Sequence, residues 1–200
     1  MVESALLIFS YFLGSIPFGF LVAYLVGKID IRNFGSGNIG ATNVFRVVGK
    51  KWGILVFIFD FLKGFFPSCL VRLLLPFSPN CIFLFASCAV VAGHNWPIFL
   101  KFKGGKGVAT SLGAVSALSL VFPGLRIVLT LSLSVWAGIF LIFRLVSLAS
   151  LSATAVFFVL SLFFSVPWEI KIFSFILFIL ILIRHKKNIK NLISKKEFRF

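Results

Sequence analysis

Along the chain, long apolar runs alternate with short polar stretches, and the runs carry the primary signal. They cover about residues 5–26, 52–75, 81–100, 108–122, 125–143, 147–166 and 172–183. A helix crosses the hydrocarbon core of a bilayer with about 20 mostly apolar residues, so these runs predict membrane-spanning helices. Gly14 and Pro17 interrupt the first run, which a packed membrane helix tolerates because its neighbours re-satisfy the freed backbone groups. The run at 108–122 is marginal in length and stops at Pro123-Gly124, residues 167–171 read as a turn, and the last run is short. The expected fold class is all-α: a polytopic membrane helix bundle of about seven transmembrane helices. No stretch is left for a separate soluble domain, so residues 1–200 are expected to form one integral membrane domain.

Composition agrees, because 60% hydrophobic residues exceeds the roughly 45–50% of soluble domains. The balance of 20 Lys and Arg against 5 Asp and Glu would suggest nucleic acid in a soluble protein. Here the cations lie in blocks between apolar runs, so no nucleic-acid partner is expected. With seven spans, 16 of the 20 fall on one side of the membrane. The positive-inside rule makes that side the cytoplasm, with the N-terminus outside and the C-terminus inside. Five full spans plus partial helices would give the same polarity. Cys69, Cys81 and Cys88 lack metal-ligand spacing, and no carboxylate cluster suits a hard cation, so neither a metal nor another cofactor is expected. The N-terminus lacks the basic region of a signal peptide, and the first run reads as a retained span.

The polar stretches hold the candidate chemistry. Gly35 to Asn43, followed by Val44-Phe45-Arg46, combines glycines that let a backbone approach a ligand with Ser36, Asn38, Thr42 and Asn43 as hydrogen-bonding groups. Arg46 adds a bidentate cation suited to phosphate, and a helix starting near Ala41 would put Asn43 and Arg46 on one face. Lys103-Gly104-Gly105-Lys106-Gly107 precedes Val108, and a glycine-rich turn opening a helix presents free N–H groups and the positive dipole end to an anion. It is not a Walker A loop, which needs another glycine spacing and a Ser or Thr after the lysine.

His94, near the end of the third run, is expected to hydrogen-bond across helices rather than to act in catalysis. Position 99 is Phe99, so the acidic residue of a His-x-x-x-x-Asp acyltransferase motif is missing. Asp60 and Lys63, i and i+3 within the second run, are expected to form an ion pair that supports the first motif. Arg144 and Ser147 put a cation and a hydroxyl at the mouth of two spans. His185 and Asn188 would share a face if the basic tail is helical, and the same tail suits anionic lipid headgroups.

These blocks, in this order, resemble the bacterial membrane acyl-phosphate:glycerol-3-phosphate acyltransferase family, the PlsY type. The segments that carry the resemblance are Gly35 to Arg46 with Asp60 to Gly64, Ala92 to Gly113, Arg144 to Ser150, and Arg184 to Glu197. Asn191 stands where the family usually has a basic residue and Lys195 where it usually has glycine. The resemblance implies an enzyme of phospholipid biosynthesis in the bacterial cytoplasmic (inner) membrane, multi-pass, with its active site facing the cytoplasm. It implies transfer of a fatty acyl group from acyl phosphate to the 1-hydroxyl of glycerol 3-phosphate, giving lysophosphatidic acid and phosphate. A functional link to a soluble enzyme that forms acyl phosphate follows from the same resemblance. By similarity, His185, Asn188, Ser36 and Lys106 would be catalytic. Asn38, Thr42, Asn43, Arg46, Gly104, Gly105, Gly107 and Ser147 would bind substrate.

An acyl phosphate is already activated, so alignment, charge stabilisation and removal of one proton remain. No Cys or Ser stands beside a base-and-carboxylate pair in the sequence, which favours direct transfer over a covalent acyl-enzyme. The base is either His185 or a phosphate oxygen of the substrate. A small-anion membrane transporter is the alternative from another class. It would spread polar residues through several spans, whereas here they cluster at one face.

Overall fold

The computed structural model describes residues 1–77 and 79–200, and among these it holds helices and turns but no strand. The α-helices are α1 (Val2–Gly14), α2 (Phe18–Gly27), α3 (Ala41–Val47), α4 (Lys50–Leu74) and α5 (Asn80–Asn95). They continue as α6 (Val108–Val121), α7 (Pro123–Phe143), α8 (Val146–Phe163), α9 (Trp168–Arg184) and α10 (Lys186–Ile193). Among the described residues five segments are long and apolar enough to cross a membrane: Val2–Gly27, Lys50–Leu74, Asn80–Leu100, Pro123–Phe143 and Val146–Phe163, with α6 a shorter apolar helix. Burial is inverted relative to a soluble protein. Ile142, Phe163 and Leu131 are exposed while Ser10, Ser68, Ser87, Ser161 and Ser174 are buried. The buried hydroxyls bond across helices, Ser68 to Ser87 at 2.9 Å and Ser161 to Ser174 at 2.7 Å, as expected where packing and hydrogen bonds hold helices together in lipid. The chain is a multi-pass membrane protein.

Two compact units divide it, residues 1–117 and 118–200. In the first, α1 packs on α5 through Gly14 and Gly93. A side-chain carbon at either glycine would overlap the opposing backbone, so the two helices meet at main-chain distance. Pro17, which has no N–H to donate, separates α1 from α2. The carbonyl of Ile16 at this break accepts from Lys63 Nζ at 2.8 Å. The polar stretch after α2 is ordered by its own apolar anchors: Ile31, Ile39 and Val44 are buried in one cluster with Val56 of α4 and Leu100. At its start the Arg32 guanidinium hydrogen-bonds Asp30, at 2.6 Å for the shortest contact, and holds that carboxyl below the usual carboxylate range.

In the second unit α7 packs on α8 and α8 on α9. The seventh apolar run begins earlier than its hydropathy suggests, at Trp168. Glu169 suits the positive end of a helix dipole, and the Lys171 ammonium donates to the Leu162 carbonyl at 3.1 Å, so neither charge stops the helix. The tail is helical over Lys186–Ile193, which meets the condition for His185 and Asn188 to stand one turn apart, and ends in a Schellman motif. Lys195 N–H bonds Leu192 O at 3.1 Å and Lys196 N–H bonds Asn191 O at 2.8 Å. Lys195 takes φ 56°, the left-handed region that favours the glycine usual in the resembling family.

Candidate active site

Polar side chains gather in two clusters, one within each unit. In the first unit, residues 34–40 fold around the side chain of Asn43, which is 1% exposed. Its Oδ1 accepts the Ser36 N–H at 2.9 Å, and its Nδ2 donates to the carbonyls of Asn38 at 2.9 Å, Phe34 at 3.0 Å and Ile31 at 3.3 Å. Every polar atom of Asn43 therefore holds main chain. Gly35, at φ 58°, lies so close to Asn43 Oδ1 that a side chain there would collide. Asn38 Oδ1 accepts the Gly40 N–H at 2.8 Å and shapes the turn into α3. Ser36, Thr42 and Arg46 are partly exposed, with Thr42 and Arg46 one turn apart on α3.

The second glycine loop belongs to the same unit. Leu100, just before it, is buried in the cluster that anchors Ile31, Ile39 and Val44, so both loops rest on one apolar footing. Gly107 takes φ 80°, and α6 starts at the next residue, leaving its first-turn N–H groups without carbonyls of their own helix. Gly105 and Gly107 are buried, while Gly104 and Lys106 are half-buried. Behind this loop lies a network whose third member no sequence spacing reveals. Lys63 Nζ and Asp60 Oδ1 pair at 2.7 Å, as their i, i+3 spacing suggested, but the pair meets His94, whose Nδ1 faces the same oxygen at 3.5 Å, behind the second glycine loop rather than the first motif it was expected to support. The carboxylate missing at position 99 is thus supplied to His94 from α4.

In the second unit, Ser147 Oγ and Asn188 Nδ2 both donate to Glu197 Oε1, at 2.8 and 2.6 Å. Asn191 and Lys195 close the turn that brings Glu197 back, and the Phe200 N–H bonds the Arg144 carbonyl at 2.9 Å. Glu197 was part of the resembling tail but not among the expected site residues; a lone acid in a strongly basic tail is the signal for it. His185 is 1% exposed and caps the end of α9, with Nδ1 at 2.8 Å from the Ile181 carbonyl. A carbonyl only accepts, so Nδ1 carries the proton, and a neutral imidazole then holds its lone pair on Nε2. The structure joins Ser147 and Asn188 through Glu197, with His185 at the end of α9 in the same unit, and in the other unit sets both glycine loops beside one apolar cluster. Among the described residues no group of His, Cys, Asp and Glu is arranged to hold a metal ion.

An integral membrane protein with basic, glycine-turned loops is the class that fold and clusters define. A model of the glycerol-3-phosphate acyltransferase family matches residues 4–195. The glycerol-3-phosphate acyltransferase of Aquifex aeolicus is 46% identical over 195 residues, which cover 98% of this chain and 97% of that protein. That of Wolbachia pipientis is 42% identical over 200 residues and 100% of both chains. Among solved structures, PlsY, an integral membrane glycerol 3-phosphate acyltransferase, matches in its glycerol 3-phosphate form with a TM-score of 0.91 and 44% identity, covering 100% of this chain and 96% of that one. Its lysophosphatidic acid form matches with a TM-score of 0.88 and 43% identity. The chain belongs to the glycerol-3-phosphate acyltransferase family.

Proposed function

We propose that this acyltransferase takes its acyl group from acyl phosphate and transfers it directly to the 1-hydroxyl of glycerol 3-phosphate. The observation that carries this is the pair of glycine-turned, cation-bearing loops on one apolar footing: two anion sites for two substrates that each bear a phosphate. Arg46 and Lys106 supply the charge, Ser36, Asn38 and Thr42 the hydrogen bonds, and the Gly104, Gly105 and Gly107 backbone the cradle at the start of α6. Asn43 acts by holding its loop in shape. The acceptor hydroxyl attacks the acyl carbonyl carbon, the carbon–oxygen bond to phosphate breaks, and inorganic phosphate departs. Ser36 and Lys106 offset the charge that grows on the leaving phosphate.

The hydroxyl proton passes to His185 Nε2 or to an oxygen of the substrate phosphate. Asn188 and Ser147, held on the Glu197 carboxylate, orient the acceptor. No acyl-enzyme and no metal enter this scheme. We further propose seven spans, counting α6 and α9, with the N-terminus outside and the polar clusters on the cytoplasmic side of a bacterial inner membrane. Both units then work as one acyltransferase domain, which a family match running through both supports. A soluble enzyme that makes acyl phosphate would feed it. The test uses purified protein in lipid with labelled glycerol 3-phosphate and, in parallel, palmitoyl phosphate, acyl-CoA or acyl carrier protein. Lysophosphatidic acid formed from palmitoyl phosphate alone is expected; product from a thioester donor at equal rate would overturn the donor assignment.

A further inference from the structure

Resting on the reading that the Lys103–Gly107 loop holds a substrate phosphate, we propose that Asp60, Lys63 and His94 are positioning residues for that loop. They form a buried brace, and His94 is its contact piece. All three are sealed, at 2%, 4% and 5% exposure. At one end Lys63 is tied to the Ile16 carbonyl at the α1–α2 break. At the other, the His94 carbonyl accepts the Gly105 N–H at 3.0 Å, and His94 Nε2 lies where a side-chain carbon of Gly105 would have to go. Gly104 is equally confined, against the His94 carbonyl and the Pro97 ring. The loop backbone therefore lies flat on His94. Where the loop ends, Gly64, the residue after Lys63, meets the backbone of Thr110 in the first turn of α6. Helix α4 thus fixes both ends of the loop, one through Asp60 and His94, the other through Gly64.

The energetics point the same way. A charged pair in a membrane span is costly, and an apolar pair would pack α4 without that penalty, so stability alone does not account for it. An Asp–His pair resembles half of a catalytic dyad, but here Nδ1 is turned to the carboxylate and Nε2 to the Gly105 backbone. Neither nitrogen is directed at a reacting hydroxyl. What the pair does is fix the ring plane on which two glycines rest.

The experiment uses the full chain in lipid nanodiscs, with two readouts. One is kcat and KM for each phosphate substrate; the other is hydrogen–deuterium exchange over residues 103–107. His94→Ala, and the double variant Asp60→Ala with Lys63→Met that removes both charges together, are expected to raise KM for one substrate at least about tenfold while kcat changes less than about threefold. Exchange over 103–107 should quicken with the spans unchanged. His94→Gln, whose amide reaches the Nε2 position, should restore KM, which a purely structural role for ring volume elsewhere in α5 would not demand. Unchanged exchange and unchanged KM in a folded variant would overturn the proposal, as would a Gln variant no better than Ala. If exchange quickens but the parent protein acylates no glycerol 3-phosphate, the positioning stands and the reading of the loop's ligand falls.

Discussion

His94 and His185 are both shut off from solvent, yet their rings are held in opposite ways. His94 turns Nδ1 to a carboxylate and presses Nε2 against glycine backbone. His185 spends Nδ1 on a carbonyl of its own helix, which leaves Nε2 as an acceptor. The first looks more like a catalytic base by its partner, and the second is the one proposed as the base. The carboxylates differ in the same manner. Asp60 neutralises an ammonium, whereas Glu197 gathers two neutral donors, a hydroxyl and an amide. A residue's role follows from what its atoms are already committed to, and type and burial alone mislead.

The largest expected effect separates the histidines. His185→Ala should lower kcat by about 10²–10⁴-fold if Nε2 is the base, against the small kcat change expected for His94→Ala. Near-normal turnover without His185 would assign the proton to the substrate phosphate. Next come the carboxylates, compared by unfolding in mixed micelles. Asp60→Asn strands Lys63 and should cost about 3–5 kcal/mol, while Glu197→Gln keeps its carbonyl acceptor and should cost under about 1 kcal/mol. Equal costs would erase the contrast between the two carboxylates. Asn43→Ala leaves a main-chain N–H and three carbonyls without this partner and should cost about 3 kcal/mol in the same assay; a cost near zero, with KM raised instead, would make Asn43 a substrate ligand. One small effect has the opposite sign. Lys195→Gly should stabilise by about 1 kcal/mol, because the left-handed turn after α10 strains any residue with a side chain.

The spans were legible in the chain because hydropathy reports a one-dimensional property, and Lys50–Leu74 or Pro123–Phe143 need only be long and apolar. The start of α9 was not, because Glu169 and Lys171 read as polar turn residues until the dipole and the Leu162 carbonyl are seen to satisfy them. The Asp60–Lys63 pair was legible from helical spacing; its third member was not. A motif search after His94 looks along the chain, while the carboxylate arrives across a helix–helix contact. Asn43 shows the other limit. The sequence announces its hydrogen-bonding capacity, but only the fold shows that capacity turned inward onto Ser36, Ile31, Phe34 and Asn38.

The Lys63 contact at the α1–α2 break also bears on how the protein enters its membrane. On the insertion scale an Asp or Lys at the centre of a span adds about 2.5–3.5 kcal/mol each, a burden for α4 to carry alone into lipid. The groups that lighten it lie on either side in the chain: Ile16 has already been synthesised when α4 emerges, and His94 has not. Helix α4 is thus a span that settles against the first one rather than as a solitary segment. In the folded unit one buried pair is a burden shared among α1, α4 and α5.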